Sequence, residues 1–391
     1  MNMMQRTIRI KLQPTDVQAA LLHETLAEYT RSFNEVCLIA DAASITNGVE
    51  LHKLTYYPQR AARQLPSQLI VSARMKATEA IKSVTELRKK RTRQEVDLVR
   101  KGKEVKPRKP IRTPQSKLCA IRYDARSYKF DRATSTVHLL HVQQEGQKRN
   151  RAAMPVSIPA YYQQFLTADW QTDSADLIYL KGRGFWLHIV VSHDTPVVPE
   201  SSHVIGVDLG INRLAVTSDA MFFGGRQVKE TNNRYFRLRR ALQAKGSKSA
   251  KRHLKKLSGK IARFQQHANH EVAKAIVRSA SPGDIIAMEN LTDIRERVKG
   301  RRKQRRGMVN WGFAQLQGFV DYKAAPLGVS VQYVDARYSS QGCFHCGYVS
   351  KANRVCQSEF KCRSCNYQLN ADLNAAKNLA SRAIRAAGGP T

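Results

Sequence analysis

The sequence predicts a multidomain α+β chain. Three observations carry that reading: one basic strand and helix-patterned segments fill the first hundred residues, short alternating strands crowd residues 120–192, and strand and helix patterns alternate from residue 203 onward. With 391 residues, 42% of them hydrophobic, the chain can bury a substantial core divided over two or three domains.

Met4 to Leu12 reads as a strand, with Ile8, Ile10 and Leu12 on one face and Arg6, Arg9 and Lys11 making it basic. Pro14 stops it. Thr15 and Gln18 form a capping-box signature, and Leu22, Leu26, Tyr29, Phe33 and Val36 follow on one helical face. A second helix is expected from Ser67 to Lys90, with Ile70, Ala73, Ala77, Ile81, Val84 and Leu87 inward. From Arg88 to Arg112 cations crowd the chain up to Pro107, Pro110 and Pro114, which reads as a basic, poorly ordered connection or a phosphate-binding segment.

Short strands return at Ala120–Tyr123, Tyr128–Asp131, Thr136–Leu140, Leu177–Lys181 and Phe185–Val191, so a small β-rich domain is indicated. The pattern leaves open whether the first strand pairs with it. Pro196 to Ser202 serves as a linker. Beyond it an α/β domain is expected: strands His203–Asp208, Arg213–Ser218, Asp284–Glu289 and Val329–Asp335, one long basic helical stretch over Asn232–Ala280, and helices at Trp311–Ala324 and Asp372–Ala387.

Lys and Arg number 66 against 31 Asp and Glu, a formal charge of +35, so a polyanion is the expected partner. No apolar run is long enough for a membrane helix, and the N-terminus lacks the apolar core of a secretory signal, so a cytoplasmic protein without a membrane partner is expected. Seven cysteines in a reducing compartment point to metal rather than disulfides. Cys343 and Cys346 are separated by 15 residues from Cys362 and Cys365, the spacing of a four-cysteine zinc ribbon. Four thiolates close the coordination sphere, so this zinc is expected to be structural. Cys356 lies between the knuckles without a paired neighbour, and Cys37 and Cys119 read as packing residues.

Three carboxylates stand at element ends. Asp208 closes the apolar run Val204–Val207, Glu289 closes Ile285–Met288, and Asp372 precedes Leu373–Ala376 at the start of the last helix. Taken singly, Asp208 reads as a turn residue and Asp372 as a helix-dipole partner. Taken together in so basic a chain, they supply the hard oxygen ligands that Mg²⁺ or Mn²⁺ needs for phosphodiester hydrolysis.

At these residues the chain resembles the TnpB family, transposon-encoded proteins similar to compact type V CRISPR effectors. The resemblance rests on Gly206-Val-Asp-Leu-Gly-Ile-Asn212, Met288-Glu-Asn-Leu291, Ser340-Gln-Gly-Cys343, the two knuckles and Asp372-Leu-Asn-Ala-Ala376, in that order. It implies a β-barrel-like wedge domain (1–12 and 113–198) with a helical recognition insertion (13–112), then an RNase H-like (RuvC) α/β nuclease domain (199–340 and 367–391) with an inserted zinc ribbon (341–366). It further implies Asp208, Glu289 and Asp372 as catalytic carboxylates, a guide RNA from the transposon end, a double-stranded DNA target with a short adjacent motif, and a monomeric ribonucleoprotein. One departure is Asn366, where such ribbons place Gly after the second cysteine pair; Asn is the next most tolerant residue for a left-handed turn.

Candidate nucleic-acid contacts are Arg234, Arg237, Arg240, Lys251, Arg252, Lys255 and Lys256 on the long helical stretch, with an apolar stripe of Leu238, Leu242, Leu254, Leu257, Ile261 and Phe264 behind them, and Arg301, Arg302 and Arg305. Two other activities compete with the guided nuclease: a guided DNA-binding regulator that does not cut, which intact carboxylates disfavour, and a conventional transposase.

Overall fold

The computed structural model describes residues 3–143, 151–194, 203–291 and 312–386. It divides into two compact units, one of Gln5–His193 and one of the residues from Asp194 onward together with those before Gln5. No helix among the described residues is long and apolar enough to cross a membrane.

The first unit is built on a seven-stranded sheet of order β2-β6-β7-β1-β5-β4-β3: β1 Met3–Leu12, β2 Ile121–Tyr123, β3 Tyr128–Asp131, β4 Thr136–Leu140, β5 Arg151–Ser157, β6 Gln171–Leu180 and β7 Gly184–Asp194. The N-terminal strand is therefore internal to the sheet, with Lys11 opposite Ser157 and Leu12 opposite Val156. β5 escapes the sequence pattern because Pro155 interrupts it, and β6 starts six residues before the expected Leu177 because Thr172–Asp176 is polar and bulged.

Three helices follow β1: α1 Asp16–Ala42, α2 Gly48–Ala62 and α3 Ser67–Arg100. The capping box at Thr15 and Gln18 is present, and Leu22, Leu26, Tyr29, Phe33 and Val36 are buried as the spacing requires. α2 leaves no apolar signature, since two of its three buried residues, Thr55 and Gln59, are polar. α3 runs ten residues beyond the expected Lys90, which corrects the reading of Arg88–Arg100 as irregular. Lys, Arg, Glu and Gln are good helix formers. Their charges are met locally, by Arg91–Glu95 at 3.1 Å and by Arg88, which bonds Asp41 and the Ile111 carbonyl. Tyr29 ties helix to sheet through Ser72 (2.9 Å), whose hydroxyl donates to the Arg122 carbonyl at 2.6 Å. Cys37 and Cys119 are buried packing residues, as expected.

The second unit holds a five-stranded sheet of order β10-β9-β8-β11-β12, comprising β8 Val204–Leu209, β9 Arg213–Thr217, β10 Phe222–Gly224, β11 Ile285–Glu289 and β12 Ser330–Val334. β8, β11 and β12 are parallel. Helices cover both faces. On one face Ile205, Val207, Ile286 and Met288 pack against α6 (Lys248–Arg278, after α5, Arg226–Lys245) and α7 (Phe313–Ala324). On the other, Val204, Ala287 and Val334 pack against α8 (Ala371–Ala386).

The expected long basic helical stretch is present as two helices. Gly246 adopts φ +63° and ends α5, and the Ser247 hydroxyl caps α6. Leu238 departs from the expected stripe: it is exposed, whereas Leu257 is buried. The short strands β13 Glu359–Lys361 and β14 Gln368–Asn370 pair within the cysteine-rich segment.

Candidate active site and metal centre

Strand register brings the first two carboxylates together. Met288 lies opposite Val207, so the next step of the parallel pair puts Glu289 beside Asp208. The third comes from α8, and its placement depends on Gly206. A Cβ at Gly206 would stand 1.9 Å from the Ala376 carbonyl oxygen and 2.7 Å from the Ala380 amide, so only glycine lets α8 lie directly on β8. Two residues along the strand, about 6.6 Å, separate Gly206 from Asp208 on the same face. Four residues back along the helix, about 6 Å, separate Ala376 from Asp372. The two steps match, and Asp372 arrives over Asp208.

All three carboxylates line one cleft of about 320 Å³, together with Arg213, Arg354, Gln357, Ser339 and Ser340. Burial pushes the Asp208 carboxyl well above its ordinary range, and the neighbouring charge of Glu289, its hydrogen bond with Glu289 and the charge of Asp372 push the same way against Arg354. Burial also raises Glu289, against the hydrogen bond from Asp208 and the charge of Arg382. A pair of this kind holds a proton where it would otherwise hold a cation. Asp372 is held by Arg354 at 3.5 Å and Arg213 at 3.8 Å. Among the described residues, the carboxylates are not drawn as tightly together as the cysteines below.

The sequence reading passed over the residues that brace this cleft. Asn370 accepts from the Asp372 and Leu373 amides and from Arg213 at 2.8 Å, so one side chain starts α8 and aims an arginine. Gln317 donates to the Glu289 carbonyl at 2.7 Å. Asn374 accepts from the Phe344 amide and donates to Gly342, and Asn378 donates to Gly342 and Ser339, clamping α8 to the first knuckle. Two Asn one helical turn apart, Asn374 buried and Asn378 half-buried, on an otherwise alanine-rich face were the available signal.

The four predicted cysteines converge, their sulfurs all within 4.8 Å of one another. Cys343 and Cys365 are 3.7 Å apart and Cys346 and Cys362 3.6 Å, close to the roughly 3.8 Å edge of a tetrahedron with 2.3 Å zinc–sulfur bonds. Burial pushes the Cys343 thiol up to about 12. Burial acts likewise on Cys362, but the Cys365 and Ser364 amides donating to its sulfur, together with its hydrogen bonds to the Cys346 and Cys365 side chains, outweigh it and bring the thiol down to about 7. The set can hold a zinc ion. Asn366 takes φ +59° and Gly347 of the first knuckle φ +74°, so asparagine does fill the left-handed position. Cys356 is exposed and outside the cluster.

Arg234, Arg237, Arg240, Lys251, Arg252, Lys255 and Lys256 are all exposed on α5 and α6. Arg301, Arg302 and Arg305 lie outside the described residues.

A family model described as "Cas12f1-like, TNB domain" matches residues 313–379, and one described as "Probable transposase" (OrfB_IS605) matches residues 188–292. The chain is similar to proteins named TnpB-like and Cas12f. It is 30% identical over 240 residues to the CRISPR-associated endodeoxyribonuclease Cas12f1 of Sulfoacidibacillus thermotolerans, covering 56% of this chain and 55% of that protein. It is 29% identical over 215 residues to the putative RNA-guided DNA endonuclease InsQ of Escherichia coli K12, covering 50% of this chain and 52% of that one. The chain thus spans about half the length of these two relatives. The fold matches that of Cas12f1 in a cryo-EM complex with sgRNA and target DNA, with a TM-score of 0.65 at 14% identity over 94% of this chain and 83% of the other.

Proposed function

We propose that this chain is an RNA-guided DNA endonuclease whose RuvC-like, RNase H-like centre consists of Asp208, Glu289 and Asp372 binding Mg²⁺ or Mn²⁺. The observation that carries the reading is the half-buried Asp208–Glu289 pair at the ends of adjacent parallel strands, facing Asp372 in a cleft whose other charged residues are Arg213 and Arg354. Burying like charges side by side is costly, and a divalent cation between them offsets that cost. When bound, such a metal supplies the charge that activates water and stabilises the leaving oxygen.

The chain's own residues do the rest. Asp208 and Glu289 present oxygen ligands from a rigid sheet, Asn370 fixes the start of α8 and with it Asp372, and Arg213 and Arg354 offer guanidinium groups to a phosphate at the rim. The cations of α5 and α6 track a nucleic-acid backbone. Cys343, Cys346, Cys362 and Cys365 hold a structural zinc.

In this reading residues 1–12 and 113–198 form the wedge domain, 13–112 the recognition insertion, 199–340 with 367–391 the nuclease domain and 341–366 the ribbon. The protein works as a cytoplasmic monomer with a guide RNA transcribed from the transposon end. The similarity to the "Probable transposase" model favours a conventional transposase as the second reading.

The test is purification from a host carrying the flanking transposon-end sequence, sequencing of bound RNA, and Mg²⁺-dependent cleavage by wild type and Asp208→Ala. Discrete RNA with guided cutting that the substitution abolishes is the expected result. Guided binding without cutting by wild type points to a regulator, and strand-transfer products with free transposon ends point to a transposase.

A further inference from the structure

Five described residues other than glycine adopt positive φ: Ser44, Ser135, Ala220, Tyr338 and Asn366. Four are small or locally hydrogen-bonding types that tolerate the left-handed region. Tyr338, at φ +60°, is the bulky exception, and a bulky residue held there signals strain retained for a purpose. Packing is not that purpose, because Tyr338 is 60% exposed and its side chain has no ring contact or hydrogen-bond partner among the described residues.

The surrounding backbone holds this conformation firmly. The Gln341 and Gly342 amides both donate to the Tyr338 carbonyl, at 2.9 and 2.8 Å. Arg382 donates to the Asp335 and Arg337 carbonyls, so one guanidinium from α8 braces the residues just before Tyr338. On either side of Tyr338, Ala336, Ser339 and Ser340 line the cleft. An exposed aromatic ring therefore stands on a braced, strained loop at the cleft rim, beside the exposed guanidinium of Arg337.

We propose that Tyr338 is a base-stacking platform, its ring receiving one unpaired nucleobase of the strand whose phosphate enters the carboxylate cleft. The proposal rests on the nuclease reading above. Every base has a π-face, so the platform grips a single strand without regard to sequence, and fixing the base fixes the register of the phosphate next to it.

The test compares Tyr338→Gly and Tyr338→Phe with wild type in the full chain carrying its guide. Glycine relieves the backbone and removes the ring, so its melting temperature should equal or exceed wild type while kcat/KM for single-strand cutting falls about 5- to 30-fold. Phenylalanine keeps the ring and should stay within about twofold. Wild-type cutting by Tyr338→Gly, or an equal loss in both variants, overturns stacking and leaves the nuclease reading intact.

A second measurement does not depend on cutting. Short DNA oligonucleotides with 2-aminopurine at successive positions, bound without divalent metal, should be quenched at one position by wild type and Tyr338→Phe but not by Tyr338→Gly. Quenching that persists in Tyr338→Gly, or no quenched position in wild type, overturns the proposal even where no cleavage is seen.

Discussion

Gly206→Ala adds one methyl group, carries no charge and touches no ligand, yet it should disable the cleft. The new Cβ would sit 1.9 Å from the Ala376 oxygen, 2.7 Å from the Ala380 nitrogen and 3.0 Å from the Ala376 carbon, all backbone atoms of α8 that no side-chain rotation can clear. Non-bonded carbon and oxygen atoms need at least about 3 Å, so α8 must retreat from β8 by about 1 Å or more. Asp372 rides on the same helix one turn away, so it retreats from Asp208 by a similar distance. Forcing a methyl group into a packed interface costs about 1–3 kcal/mol. Misplacing a reacting group by about 1 Å costs about a hundredfold in rate. The assay is guided, Mg²⁺-dependent cleavage of a plasmid target alongside thermal melting. A melting point lowered by several degrees, with cleavage at the melt-corrected folded fraction down about a hundredfold, is expected. Gly206→Ala with wild-type melting and wild-type rate would refute the argument that the α8–β8 contact sets the carboxylate geometry.

Asp208→Asn should separate metal binding from stability. Asp208 and Glu289 both have raised pKa values in the folded chain, so the metal-free protein binds protons more tightly than the unfolded chain and loses stability as pH rises through the interval between the two states' values. Mg²⁺ or Mn²⁺ competes with those protons, so the metal-induced rise in melting temperature should grow as the pH rises above the ordinary carboxylate range. Asp208→Asn should flatten the metal-free pH dependence and abolish the metal shift; retention of the shift would refute the ligand assignment. Purified protein should contain one zinc per chain, and Cys362→Ser should release it and lower the melting temperature, because the first knuckle is clamped to α8 through Asn374 and Asn378. Zinc analysis with thermal melting checks this, and a metal-free protein that melts like the zinc-loaded form would count against it.

Much of the site was legible in the sequence because its signals are local. The cysteine spacing puts two thiols on each of two tight turns, and such turns make their own amide–sulfur bonds, as the Ser364 and Cys365 amides do to Cys362. The strand patterns ending in Asp208 and Glu289, the start of α8 at Asp372 and the left-handed Asn366 likewise depend on neighbours a few residues away. Signals that looked continuous hid a break where a single backbone conformation intervened, as at Gly246, and α2 stayed hidden because its buried face carries Thr55 and Gln59.

Tertiary structure alone decided which distant segments meet. It set β1 between β7 and β5, put Glu289 beside Asp208, brought Arg213 and Arg354 to Asp372, and stood Tyr338 at the cleft rim on a strained backbone. Periodicity records which face of an element is buried but not against what. That choice follows from chain-wide packing, such as the fit of α8 against a strand that lacks one Cβ.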